Sequence, residues 1–181
     1  FKSIKSKEDL KNFIQERSAH VSQTTLYGYL KTRIGVKYIA MMEDEVFLKS
    51  INIAKWNIYV VALADCTFYV FSYLISEKNL KKNDCKEIFL NILENEKKNG
   101  LSDEIFDRGK NNFLERLNTV NFSNYHLNDP FKESGQALYY WSPIADELKA
   151  LDKKIVLNSI HLKWGLIKDE FKKLTKNLKF N

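Results

Sequence analysis

From Ile51 to Ile75 the chain reads INIAKWNIYVVALADCTFYVFSYLI, with one carboxylate, Asp65, near its middle. Wound as a helix, this run is apolar on nearly every face, so something must enclose it. The stretch from Trp56 to Ile75 is 20 residues, long enough to span a bilayer. Two features argue for protein instead of lipid. A central Asp costs about 3 kcal/mol on membrane-insertion scales, and Asn57, Thr67 and Ser72 dilute the run. The rest of the chain also supplies amphipathic segments that otherwise have nothing to cover. The run is therefore expected to be the core helix of a helical domain, with peripheral membrane contact, but not an integral span, left open.

The flanking segments are placed by caps and periodicity. Ser6, with Glu8 and Asp9 behind it, predicts a helix N-terminus, and Leu10, Phe13, Ile14, Val21, Leu26 and Leu30 recur at helical spacing up to a stop at Gly35. This is one long helix, or two with a bend near residues 22–25. The apolar link VKYIAMM is expected to tuck against the core. Glu43, Asp44 and Glu45 open a central helix over residues 43–75. Asn83 and Asp84 begin a further helix that stops at Gly100, and Ser102 begins another, in which Gly109 predicts a kink or a close contact. Residues 119–140 read as a long irregular loop with buried aromatics, a lid or a cover over the core, with a short helix or strand over 136–141. Ser142-Pro143 predicts the start of a C-terminal helix over 143–174, with Leu148, Leu151, Ile155, Leu162, Val156, Ile160, Ile167 and Phe171 as one wide apolar stripe. The expected fold is all-α, a single domain of five or six helices. Only 2 Pro and 6 Gly in 181 residues fit long helices better than many short strands.

Charge and cysteine content narrow the function classes. The balance of 29 Lys+Arg against 23 Asp+Glu gives +6, which permits acidic partners, but a charged fraction of 29% is ordinary for a globular chain. Nucleic acid is not the expected partner; a protein partner or a homo-oligomer is. Two cysteines, Cys66 and Cys85, do not make a disulfide framework. A cytoplasmic or other reducing compartment is expected, an organelle matrix if a targeting segment has been removed.

Catalytic and cofactor signatures are missing. No G-x-S-x-G occurs; the nearest glycine-flanked serine is Ser134 before Gly135, with His126 eight residues upstream. Neither H-E-x-x-H, paired cysteines nor the twin E-x-x-H of di-iron bundles is present, and Glu16 with His20 is a single i, i+4 pair. Glycine-rich phosphate loops are absent as well. The expectation is no catalytic residue, no metal and no cofactor. Asp65 is the most pointed position, because a carboxylate among apolar neighbours needs a partner from another element. Arg17, Arg33 and Lys37 are the candidates, and a structural tie between helices is the expected role. Polar-aromatic strips at Arg17/His20/Thr24, Lys55/Trp56 and His161/Trp164 are candidate interaction positions, and Asn52, Lys55 and Asn57 are read as the more exposed part of the central helix.

The segments RSAHVSQTTLYGYLKTRIG (17–35), EDEVFLKSINIAKWNIYVVALADCT (43–67) and SPIADELKALDKKIV (142–156) resemble a family of uncharacterised bacterial helical proteins, some of which carry the label esterase. The resemblance implies small-ester hydrolysis as one reading, without a catalytic motif to which residues transfer. The residues themselves favour a non-catalytic binding module, an accessory subunit of a larger assembly. A third reading is an anionic-surface binder using Lys172, Lys173, Lys176 and Lys179.

Overall fold

Local capping explains where the first helix begins. Ser6 Oγ accepts the Asp9 N–H while the Asp9 carboxylate accepts the Ser6 N–H, a reciprocal capping box that satisfies two otherwise orphaned donors. In the computed structural model, which describes residues 3–180, α1 then runs unbroken over Lys7–Ile34. Of the two alternatives, one helix is found. Ser22 and Thr25 donate their hydroxyls to Ser18 and Val21 carbonyls one turn back, so the polar segment where a bend is one alternative is satisfied within a continuous helix. The helix stops at Gly35, whose φ of 69° favours glycine.

The apolar link behaves in two ways. A 3₁₀ turn at Gly35–Lys37 leads into the one-turn helix α2 (Tyr38–Met41). Tyr38, Met41 and Met42 pack on the core as expected, but Val36 is 99% and Ile39 77% exposed. Asp44 then caps α3 by accepting the Phe47 N–H. Helix α3 spans Glu45–Lys78, three residues past the predicted end, and closes on Asn79 in a left-handed conformation. Its 34 residues extend about 50 Å. It is long and apolar enough to cross a membrane, yet 83% of its most apolar window is buried inside the protein.

Helices α4 (Cys85–Glu96), α5 (Asp103–Thr119), α6 (Lys132–Trp141) and α7 (Asp146–Leu174) complete the fold. There is no strand among the described residues, and the all-α architecture around a central apolar helix stands. Helices α1, α4, α5 and α6 pack directly on α3. Helix α7 lies over α1 and α6 and reaches α3 through Phe171, whose ring meets Tyr69 and Tyr73. Two ion pairs join α1 to α7: Arg33 grips Asp152 with two bonds of 2.6 Å, and Arg17 holds Glu170 at 2.7–2.8 Å.

Gly109 marks a close contact. It is buried in α5 against Val60 of α3, and a methyl group there would run into the Val60 side chain. Gly109→Ala is expected to destabilise the fold by about 1–2 kcal/mol, because overpacking outweighs the gain in helix propensity. Denaturant unfolding checks this, and Val60→Ala in the same chain should relieve most of the loss.

Three expectations are corrected. The C-terminal helix begins at Asp146, not at Pro143. The Ser142 hydroxyl donates to the Leu138 carbonyl and serves the end of α6, and the N-cap position of α7 is Ala145, three residues further on. Residues 119–140 are less irregular than predicted: a 3₁₀ turn covers Tyr125–Leu127, and α6 starts at Lys132. The apolar stripe of α7 is two faces, not one. Val156, Ile160, Trp164, Ile167 and Phe171 are buried, whereas Leu148, Leu151, Ile155 and Leu162 are 41–76% exposed.

Candidate functional site

Asp65 sits on α3 with no exposed surface, where a carboxylate requires compensation for lost water. Its Oδ2 accepts the Ser134 backbone N–H at 2.7 Å and the Ser134 hydroxyl at 2.6 Å. Ser134 is the third residue of α6, and that helix has no side-chain cap of its own at Phe131. Asp65 thus supplies from another helix what an N-cap residue normally supplies locally, an acceptor for an orphan N–H at the positive end of the dipole. Arg116 of α5 brings Nη2 to 2.7 Å from Asp65 Oδ1. The same nitrogen donates to Tyr125 Oη at 2.8 Å, and the Tyr125 hydroxyl donates to the Pro130 carbonyl at 2.6 Å. The Arg116 guanidinium lies 4.9 Å from the Phe68 ring centroid. One buried network therefore joins α3, α5, α6 and the segment between the last two.

The partner is basic, as expected, but comes from α5 and not from α1. Arg17 and Arg33 are turned toward α7 carboxylates, and Lys37 is exposed in the turn after α1. Burial pushes the Asp65 carboxyl up to about 6, against the lowering pull of Arg116 and Ser134. Burial pulls the Arg116 guanidinium down, and Asp65 together with Tyr125 and Glu133 more than reverses it. For Asp65 the folded-state value lies above the unfolded one, so its contribution to stability is full below about 3.8 and is lost as pH rises through about 6. Wild type is accordingly expected to lose stability relative to Asp65→Asn on going from acidic to neutral pH. Urea unfolding of both chains across that range tests it; a gap that does not change with pH would sink the assignment.

Beside this network runs a cleft of about 400 Å³ whose lining includes Val60, Val61, Ala64, Asn112, Arg116 and Glu133. Arg116 stands between the cleft and Asp65, with 27% of its side chain exposed. The carboxylate behind it is fully engaged and has no free surface, so it anchors the fold and does not present chemistry to the cleft. Ser134 is likewise fully buried, its hydroxyl committed to Asp65.

A second polar cluster covers α3 nearer its end. The Ser72 hydroxyl donates to the Phe122 carbonyl at 2.8 Å, accepts the His126 N–H at 3.0 Å, and lies 2.8 Å from His126 Nδ1. His126 Nε2 is 3.5 Å from Glu77 Oε1. Serine, imidazole and carboxylate thus stand in a row, but Ser72 has no exposed surface and its hydroxyl proton is held by a backbone carbonyl. A nucleophile must be able to reach a substrate; this serine pins residues 122–126 onto α3. The long connection is a cover fixed to the core.

The remaining predicted positions are scattered. His20 is exposed on α1, where its carbonyl accepts the Thr24 hydroxyl. Lys55 lies 5.5 Å from the Trp56 ring centroid, and Trp56 is buried against Tyr59. Asn57, expected to be exposed, is buried, donating to the Ile53 carbonyl and accepting from Arg108. Trp164 is buried and stacks on Phe131 at 4.0 Å, while its strip neighbour His161 is exposed. Among the described residues no three His, Cys, Asp or Glu side chains are grouped to hold a metal ion. Arg116 and Tyr125 were not legible as partners of Asp65; the only hint is that Arg116 is a lone arginine on the last turn of an otherwise sparsely apolar helix.

No family model, curated protein or solved structure matches the chain.

Proposed function

We propose that the chain is a non-catalytic helical binding module that contributes a surface to a larger assembly. The observation that carries this reading is the outward face of α7. Leu148, Leu151, Ile155, Leu162 and Leu166 are 41%, 76%, 71%, 69% and 65% exposed and lie along one side of a single helix. Scattered exposed apolar residues are normal, but an aligned row of them on a helix whose other apolar face is already buried is the kind of patch that protein contacts cover. The polar networks, in contrast, are turned inward and serve packing.

Leu151→Glu combined with Ile155→Glu is expected to leave helicity and unfolding midpoint nearly unchanged, since both positions are exposed. The same chain should fall out of a stoichiometric assembly that wild type forms in its native source, whether with further copies or with another protein. Cross-linking in cells followed by mass measurement reads this out. Recovery of wild type as a free monomer would count against the reading.

A further inference from the structure

We infer that residues 122–128 form a pH-gated cover, clasped to α3 when both nitrogens of the His126 imidazole carry protons and loosened when only one does. Proton bookkeeping at Ser72 leads to this. A serine hydroxyl has one proton to give and two lone pairs with which to accept. One lone pair of Ser72 Oγ takes the His126 backbone N–H at 3.0 Å. Its other two partners are the Phe122 carbonyl and His126 Nδ1, both at 2.8 Å, and the single proton can serve only one of them.

The imidazolium satisfies every group together. Ser72 then donates to Phe122, Nδ1–H donates to the second lone pair of Ser72, and the charged ring stands with Nε2 at 3.5 Å from Glu77 Oε1. Each neutral tautomer breaks one of these contacts. With the proton on Nδ1, the bare Nε2 lone pair faces a carboxylate, and this buried nitrogen has no hydrogen-bond partner. With the proton on Nε2, Nδ1 must take the Ser72 hydroxyl, and the Phe122 carbonyl gives it up. A buried polar group left unpaired is unfavourable in either case, and opening the cover to water relieves it. Acid therefore closes the cover and base loosens it.

The charged and titratable groups around the ring are few. On α3 they are Glu77, whose one ion-pair partner among the described residues is His126, and Tyr73, which meets the imidazole edge-on at 6.0 Å. The neighbouring cation, Lys78, donates to the Lys176 carbonyl. From the end of α7, Phe171 and Thr175 approach Tyr73, and neither carries a charge. Within the cover, the Tyr125 hydroxyl is committed to the Pro130 carbonyl, and Asp129 is exposed. Beneath the cover lies Phe68, whose ring centroid is 6.3 Å from that of Phe122 and 5.7 Å from that of Tyr125. Loosening residues 122–128 thus bares an apolar part of α3.

Hydrogen exchange at the His126 amide reads the clasp directly, because that N–H donates to Ser72 Oγ. After correction for the intrinsic pH dependence of exchange, its protection is expected to fall about tenfold as the imidazole loses its second proton, the equivalent of one hydrogen bond. Nitrogen NMR spectra on the acid side should show protons on both ring nitrogens. Glu77→Gln should flatten the response, since an amide can either donate to Nε2 or accept from it; the Glu77 side chain is 52% exposed, so the fold tolerates the change. Asp65, with its carboxyl pushed up to about 6, also touches the cover through Arg116 and Tyr125. The response should therefore persist in Asp65→Asn; its disappearance there would assign the effect to Asp65 and overturn the clasp. Protection that does not change with pH in wild type, or that changes equally in Glu77→Gln, overturns it as well.

Discussion

Asp65→Ala is expected to lower the unfolding free energy by about 3–5 kcal/mol. The substitution strips Arg116 of the carboxylate at 2.7 Å and leaves two Ser134 donors facing a void. Three elements lose their junction at once, since α6 has no cap besides Asp65. Removing both charges is a different matter. Asp65→Leu with Arg116→Met replaces the pair by apolar groups of similar size, and buried pairs so replaced are often near neutral. The double substitution should therefore recover most of the loss, apart from about 1 kcal/mol for the missing cap. Chemical denaturation of wild type, Asp65→Leu, Arg116→Met and the double variant closes the cycle. A double variant as unstable as the sum of the singles would show that the charges themselves hold the fold together.

Phe113→Ala is the second large effect, at about 4 kcal/mol. Phe113 is fully buried and stands between two rings. It stacks on Phe89 of α4 at 3.9 Å and on Phe68 of α3 at 4.8 Å, both nearly parallel. Helix α5 buries only Phe106, Gly109 and Phe113, so this ring is its main attachment to the core. Loss of the ring costs transfer energy, a cavity and two aromatic contacts. It should also loosen Arg116, one turn further along α5. Hydrogen exchange is expected to rise through α5 before it rises in α3; uniform exchange across all helices would contradict this division.

Much of the architecture was readable from residues alone, for physical reasons that apply unevenly. Ser6 with Asp9, Asp44 and Ser102 act within their own segments, so their helix starts were visible. The apolar continuity of Ile51 to Ile75 demanded enclosure, and the helices of the rest provide it. What failed was long-range. Ser142 looked like a cap because Pro143 comes directly after it, yet its hydroxyl bonds backward to Leu138. The first turn of α6 reads as loop, with a short helix or strand expected only over 136–141, because the acceptor that starts the helix lies on α3. The partner found for Asp65 is Arg116 of α5, whereas the candidate partners in the sequence, Arg17, Arg33 and Lys37, belong to the first segment. Those arginines find carboxylates on α7, and no periodicity reports which of several cations a buried acid will meet. The two faces of α7 were merged for a related reason: hydrophobicity marks both a core contact and an outer seam, and only the packed neighbours separate them.

The cap of α6 is made 69 residues before the donor it serves. During synthesis from the N-terminus, the acceptor on α3 is thus already in place when Ser134 emerges. A fragment that begins after α3 carries every residue of α6 yet lacks what starts it, so this helix belongs to the folded whole and not to its own stretch of chain.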